Sequence, residues 1–239
     1  MEIAPGIRRL GPGLVNAYLL EDAGEVTIID AGAPGYWNEL PAELAAMGRG
    51  LEDVRAVVLT HAHSDHIGFA ERLRRERGVP VKVHELDAEL ARHPGTPNLD
   101  ERKVRPFALR FMAFAVSHGM LGRTPILEVS TFGDGATLDV PGAPRVIHVP
   151  GHSEGSAVLH VPSSDAAFIG DAFVTLNVLS GDRGPRMSPF NADIRRAYES
   201  LTRLERVDAR LVLPGHGEPW TGGLPEALRV IRAAGAPPH

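Results

Sequence analysis

The sequence predicts an α+β fold made of two similar halves packed face to face. Three observations predict it. Short β-branched strand patterns come in clusters, and helical periodicity follows each cluster. The order strands, helix, histidine-bearing loop occurs once in each half of the chain. An apolar helical stretch, residues 92–127, interrupts that rhythm and reads as an inserted helical lid on a single domain spanning 1–239.

Two strand patterns come first, LVNAYLL (14–20) and EVTIID (25–30), joined by a short turn. The second ends at Asp30 and enters AGAPG, a Gly/Pro loop. Residues 37–47 read as a helix with Leu40, Leu44 and Met47 on one face. AVVLT (56–60) is a short buried strand that feeds directly into HAHSDHIG. Asp65 to Arg77 reads as a helix, and PVKVH (80–84) as a strand. Within the insertion, Phe107, Phe111, Met112, Phe114, Ala115 and Met120 recur at helical spacing, a stripe that suits core and substrate pocket alike. Strands resume at 136–140, 145–149, 156–161 and 166–171. Residues 191–205 are helical, RLVLPG (210–215) is strand then turn, and 224–234 is a last helix.

Composition narrows the function classes. The chain has 239 residues, 43% of them hydrophobic, and a mean hydropathy near zero, which is the profile of a globular protein with a substantial core. A net charge of −5 offers no electrostatic case for nucleic acid or an anionic membrane. There is no cysteine, so disulfides, thiolate ligands and a cysteine nucleophile are excluded. The first residues lack the apolar core of a signal peptide, and no apolar run approaches the roughly 20 residues needed to span a bilayer. A cytoplasmic protein is the expectation.

The chemistry is concentrated at strand ends. In LTHAHSDHIG, His61, His63, Asp65 and His66 follow a strand and precede a helix. His61 and His63, two apart on extended backbone, can face one side. His152 follows RVIHVPG, Asp171 follows AAFIG, and His216 follows RLVLPG. Each has a glycine beside it, which permits close approach. Imidazoles and carboxylates without thiolate suit Zn²⁺, with Fe or Mn as alternatives. Seven ligands are too many for one tetrahedral ion and suit two ions that share a bridging carboxylate.

These residues resemble the five motifs of the metallo-β-lactamase superfamily, in order and across nearly the whole chain: Asp30 after an early strand, the H-x-H-x-D-H loop (61–66), His152 in GHSEG, Asp171 in FIGD and His216 in PGHG. The resemblance implies a four-layer αββα sandwich with metals at one edge. It implies that His61, His63 and His152 hold the first of two Zn²⁺ ions. Asp65, His66 and His216 would hold the second, Asp171 would bridge, and Asp30 would support the ligand loop. Metal lowers the pKa of bound water from about 15.7 towards about 7, so a bridging hydroxide could attack an electrophilic carbonyl or phosphorus, with Asp65 as the catalytic group that holds or shuttles the proton.

Within that family, Asp171 stands where true lactamases usually carry Cys or Ser. Glyoxalase II-like thioesterases carry a helical domain after the last histidine, but only 23 residues follow His216. Lactonases carry a helical cover of about the size of 92–127. A small-molecule carboxylic ester, lactone or thioester is therefore the expected substrate, with homodimerisation left open. Three other readings use parts of the same chain. One is an iron-dependent persulfide dioxygenase with a single iron. A second is an idle fold serving as a binding module. The third is a serine hydrolase, because GHSEG (151–155) matches G-x-S-x-G. A nucleophile elbow needs a helix after the serine, however, and SAVLHV is strand-like. His84, His93, His118, His160 and His239 match no motif and read as structural or exposed; His148 is a candidate supporting residue.

Overall fold

The computed structural model describes residues 1–95, 106–122 and 124–236. Seven strands form one sheet in sequence order: β1 (Glu2–Ala4), β2 (Ile7–Leu10), β3 (Ala17–Asp22), β4 (Glu25–Ile29), β5 (Val54–Val58), β6 (Val81–His84) and β7 (Ser130–Phe132). The first four run antiparallel to one another, and β4 to β7 are parallel. The second sheet contains β8 (Arg145–His148), β9 (Ala157–Val161) and β10 (Ala166–Gly170). A separate hairpin, β11 (Val174–Leu176) and β12 (Arg183–Arg186), precedes β13 (Leu211–Pro214), which completes the second sheet by pairing parallel to β10. The helices are α1 (Leu40–Ala45), α2 (Ala70–Arg77), α3 (Ala88–Arg92), α4 (Pro106–Ser117), α5 (Ile194–Ser200) and α6 (Leu224–Ala233).

Side-chain alternation along the strands builds four layers, the expected αββα sandwich. Ala56 and Val58 point between the sheets while Val57 points to the helices of the first half. In the second sheet Phe168, Leu211 and Leu213 point inward, whereas Ala167, Ile169 and Val212 face α6 and the turn after α5. A period of two with both faces buried explains why these strands read as continuous apolar runs.

Several boundaries differ from expectation, for local reasons. Residues 136–140 are not a strand; Thr137 alone bridges Arg145, and the chain bends into Pro141 and Gly142. Ser130–Phe132, which the sequence did not mark as a strand, pairs with β6. The helix expected from Asp65 starts at Ala70, because residues 64–69 form the turn that carries Asp65 and His66. The helix expected over 37–47 is a 3₁₀ turn at 34–38 followed by α1, which has a proline in its first turn. The helix expected over 191–205 is α5 followed by a 3₁₀ turn at 201–204. The 92–127 stretch comprises the end of α3, α4 and a returning segment anchored by Ile126 N–H to Ala91 O; residues 96–105 and 123 lie outside the described residues.

The two sheets are stitched at one edge. Asn16 Nδ2 donates to the carbonyls of Pro214 and Gly217, Tyr18 Oη donates to Pro214 O, and Ala157 N–H donates to Thr60 O. Each bond joins a strand end of one sheet to the other, so the loops that follow β4, β5, β10 and β13 converge.

Candidate metal centre

The loop after β5 delivers His61, His63, Asp65 and His66; the loop between β8 and β9 delivers His152; the ends of β10 and β13 deliver Asp171 and His216. All seven expected residues meet at the stitched edge. One group contains His61, His63 and His152: His63 Nδ1 is 2.8 Å from His152 Nε2, which is 3.2 Å from His61 Nε2. A second contains Asp65, His66 and His216, with His216 Nε2 3.4 Å from Asp65 Oδ2 and His66 Nε2 3.8 Å from it. Asp171 faces both groups: its Oδ2 is 3.6 Å from His152 Nε2 and 3.2 Å from His216 Nε2, and its Oδ1 is 3.8 Å from His66 Nε2. Gly215 makes room, since a Cβ there would lie 2.4 Å from Asp171 Oδ1 and 2.5 Å from His66 Cε1.

Hydrogen bonds set which ring nitrogen is bare. Thr60 Oγ1 donates its single proton to Asp30 Oδ2 at 2.8 Å, so it can only accept from His61 Nδ1–H at 3.1 Å. His66 Nδ1–H donates to Asp30 Oδ2 at 3.0 Å, and His216 Nδ1–H to Leu14 O. In the neutral form of all three rings Nε2 is the bare nitrogen, aimed into the cluster. Asp30 itself, at a left-handed φ of 58°, also accepts from Thr60 N–H at 2.7 Å, which places it behind the ligand loop as expected.

The electrostatics divide the histidines. Burial holds His61 well below its ordinary pKa, and the neighbouring rings of His66 and His152 add to this. Burial likewise lowers His63, and takes His152 to about 3. Burial opposes charge on His216 too, but the carboxylates of Asp171 and Asp65 outweigh it and hold its pKa well above normal. Asp65 and Asp30 do the same for His66. Asp65 and Asp171 lie below the usual carboxylate range because His66 and His216 overcome the cost of their burial.

A divalent cation fits this arrangement. Converging imidazole lone pairs and carboxylates at these distances repel unless a positive charge lies among them. His66 Nε2 and Asp171 Oδ1 are buried without any hydrogen-bond partner. Nitrogen and oxygen donors with no sulfur suit Zn²⁺, Fe or Mn.

Comparison with known proteins agrees with the geometry. The profile of the metallo-beta-lactamase superfamily matches residues 10–216. The chain belongs to this superfamily. It is 26% identical to the probable metallo-hydrolase YflN of Bacillus subtilis, over 92% of this chain and 87% of that protein. It is 30% identical to the uncharacterized protein Rv2581c of Mycobacterium tuberculosis, over 70% of this chain and 71% of that one. Among solved structures, the metallo-beta-lactamase family protein TTHA1429 of Thermus thermophilus superposes with a TM-score of 0.67 at 26% identity, covering 97% of this chain and 79% of that one. TTHA1623, solved in a di-iron-bound form, gives 0.63 at 28% identity, covering 97% and 98%. The chain is thus a metallo-hydrolase superfamily member that carries His/Asp groups for divalent metal.

Three supporting residues carry no superfamily motif and escaped the sequence. Thr60 has one signal, its place directly before His61. Asp87, just after β6, is 1% exposed and accepts from Ala62 N–H at 3.0 Å, Ser153 Oγ at 2.7 Å and Gly155 N–H at 2.6 Å. Ser188 Oγ donates to Asp171 Oδ2 at 3.2 Å. Nothing local marks either. The bond to Asp87 also disposes of the elbow motif: the Ser153 hydroxyl is spent on a carboxylate, and the chain continues into β9 rather than a helix. His148 lies away from the cluster, stacked on His84 with its Nε2 against Glu154 O at 2.7 Å.

Proposed function

We propose that the protein is a binuclear metallohydrolase that cleaves a carboxylic ester, lactone or thioester of a small molecule. The observation that carries the reading is the position of Asp171 between the His61/His63/His152 group and the Asp65/His66/His216 group. The first trio would hold one cation, the second trio another, and Asp171 would serve both; Zn²⁺ is the proposed metal, with Fe or Mn as alternatives. Such cations supply an acidified water at neutral pH and an electrophile for the carbonyl oxygen.

The protein's own groups do the rest. Asp65 and Asp171 both line the pocket, and Asp65 is the more exposed of the two carboxylates, 17% against 2%. It is placed to accept a hydrogen bond from the attacking water and pass the proton to the leaving group. Thr60 and Asp30 hold His61 and His66 in their working tautomers. The helix α4 covers the opening, with Phe111 edge-on to His216 at 6.1 Å, and serves as the lid of a single domain. We read the partner as a small molecule rather than nucleic acid or membrane, and the location as cytoplasmic; no helix among the described residues is long and apolar enough to cross a membrane.

The test is metal quantification on purified protein, followed by a panel of ester, lactone, thioester and phosphodiester substrates. Two cations per chain and turnover of a carboxylic substrate are expected. His61→Ala and Asp171→Ala should lose metal and rate together; full metal and full rate in either variant would overturn the assignment. One iron per chain with oxygen uptake would replace it with the dioxygenase reading.

A further inference from the structure

The cavity that opens onto His63, Asp65, His152 and Asp171 has a volume of about 240 Å³ and a sharply divided lining. Its polar residues are all at the metal end, the cluster itself and Ser64. Every other described residue of its wall is apolar, contributed by α4, by Met120 in the turn after it, by Leu179 between β11 and β12, and by Phe190 after β12. No arginine or lysine lines it among the described residues, so away from the metal end none of these would balance a carboxylate, phosphate or sulfonate on the substrate's chain.

The lining also continues outward. Leu109 and Met112 both face this cavity, yet are 70% and 49% exposed. Two large apolar side chains at i and i+3 on a helix that roofs a polar centre are poorly placed for solvent. The inner face of α4 is satisfied separately: Phe114 packs edge-on to Tyr36 at 6.2 Å and stacks on His118 at 4.1 Å. Among the described residues, the outer turn of α4 therefore has no apolar partner along the line that begins at the metal cluster and ends near Leu109.

We infer that the substrate supplies that partner: an uncharged apolar chain that runs from the reacting carbonyl at Asp65 and His152 along Met112 and Leu109. This rests on the hydrolase reading, and Leu109 and Met112 are its specificity-determining residues. Each methylene that enters the channel leaves water and raises affinity by about fourfold when fully buried, and by about twofold at a half-exposed site. The gain ends where the chain passes Leu109 into solvent.

The experiment uses the metal-loaded protein and two series with the same chain lengths. p-Nitrophenyl acetate, butyrate, hexanoate and octanoate report kcat/KM; acetate, butyrate, hexanoate and octanoate, which mimic the acyl product, report affinity by calorimetry. Both should rise about two- to fourfold per methylene. A hexanoyl-length chain ending in a carboxylate should lose at least tenfold. The double variant Leu109→Asn with Met112→Asn should cut the octanoyl-to-acetyl ratio about tenfold, whereas Leu127→Asn, an exposed leucine off this wall, should leave the ratio unchanged. A flat series, or a slope that survives the double variant, overturns the inference. If no ester is cleaved, the carboxylate series still decides it: rising affinity upholds the apolar channel while the hydrolase reading alone fails.

Discussion

The Asp87 carboxylate accepts the Gly155 N–H at 2.6 Å, and a Cβ at Gly155 would lie 2.7 Å from the Asp87 side chain. The same carboxylate accepts from Ala62 N–H, between His61 and His63, and from Ser153 Oγ, next to His152. One buried side chain thus clasps the two loops that carry the three-histidine group. Asp87→Ala leaves two buried N–H groups unpaired and should cost roughly 3 kcal/mol, read as a lowered Tm. Cation content should fall with it. A stable Asp87→Ala protein that binds metal with wild-type affinity would show the clasp to be irrelevant to the site.

Asp30 acts through His66. Asp30→Asn keeps the shape but turns one acceptor into a donor facing the Thr60 and His66 donors. Cation affinity should drop about 10- to 100-fold, the usual cost of losing a residue that orients a ligand. Competition with a chromophoric chelator measures it. Wild-type affinity in Asp30→Asn would show that the tautomers are set some other way.

Gly215 tests the shape of the site. In Gly215→Ala the new methyl must displace Asp171 or His66, so overpacking of roughly 1–3 kcal/mol is expected. Because both displaced groups face the Asp65/His66/His216 trio, metal analysis should show occupancy falling from two cations towards one. Two tightly held cations in this variant would contradict the proposed second site.

Protons and cations compete for the same nitrogens. The carboxylates beside His66 and His216 outweigh their burial and raise their pKa values, so metal-free protein holds protons on these rings to higher pH than free histidine would. Their pairing with carboxylates stabilises that form below the ordinary histidine pKa and is lost as pH rises through the raised values. Asp65 and Asp171, with depressed values, contribute above the ordinary carboxylate pKa and lose this as pH falls through the depressed values. Metal binding must release the histidine protons. The Tm difference between loaded and stripped protein should therefore widen from pH 6 to pH 9; a constant difference would mean that no proton is displaced.

The candidate ligands were legible in the sequence because each follows a strong local pattern. Val54–Val58, Ala166–Gly170 and Leu211–Pro214 are buried on both faces, so they read as β-branched or apolar runs, and the functional residue follows directly. β1, β2, β7 and the β11–β12 hairpin, short and without a ligand after them, were missed. β2 carries Arg8 and Arg9, and Arg9 is 5% exposed only because Glu218 pairs with it at 2.9 Å. Residues 136–140 read as a strand by composition, but the Pro-Gly bend after them takes precedence.

The sequence alone picked out the candidate donors, four in one H-x-H-x-D-H loop and three beside a glycine at a strand end, because those signals lie within a few residues of each side chain. Tertiary structure decided what holds them. Asp87 sits 66 positions from Ser153 and 25 from Ala62, and no local pattern encodes a hydrogen bond across such distances. It also divided the Phe/Met stripe, sending Phe114 to the core while Phe111, Met112 and Met120 line the cavity. Helical spacing marks a stripe as apolar, but which part meets the core and which meets a substrate depends on the angle at which α4 crosses the metal edge.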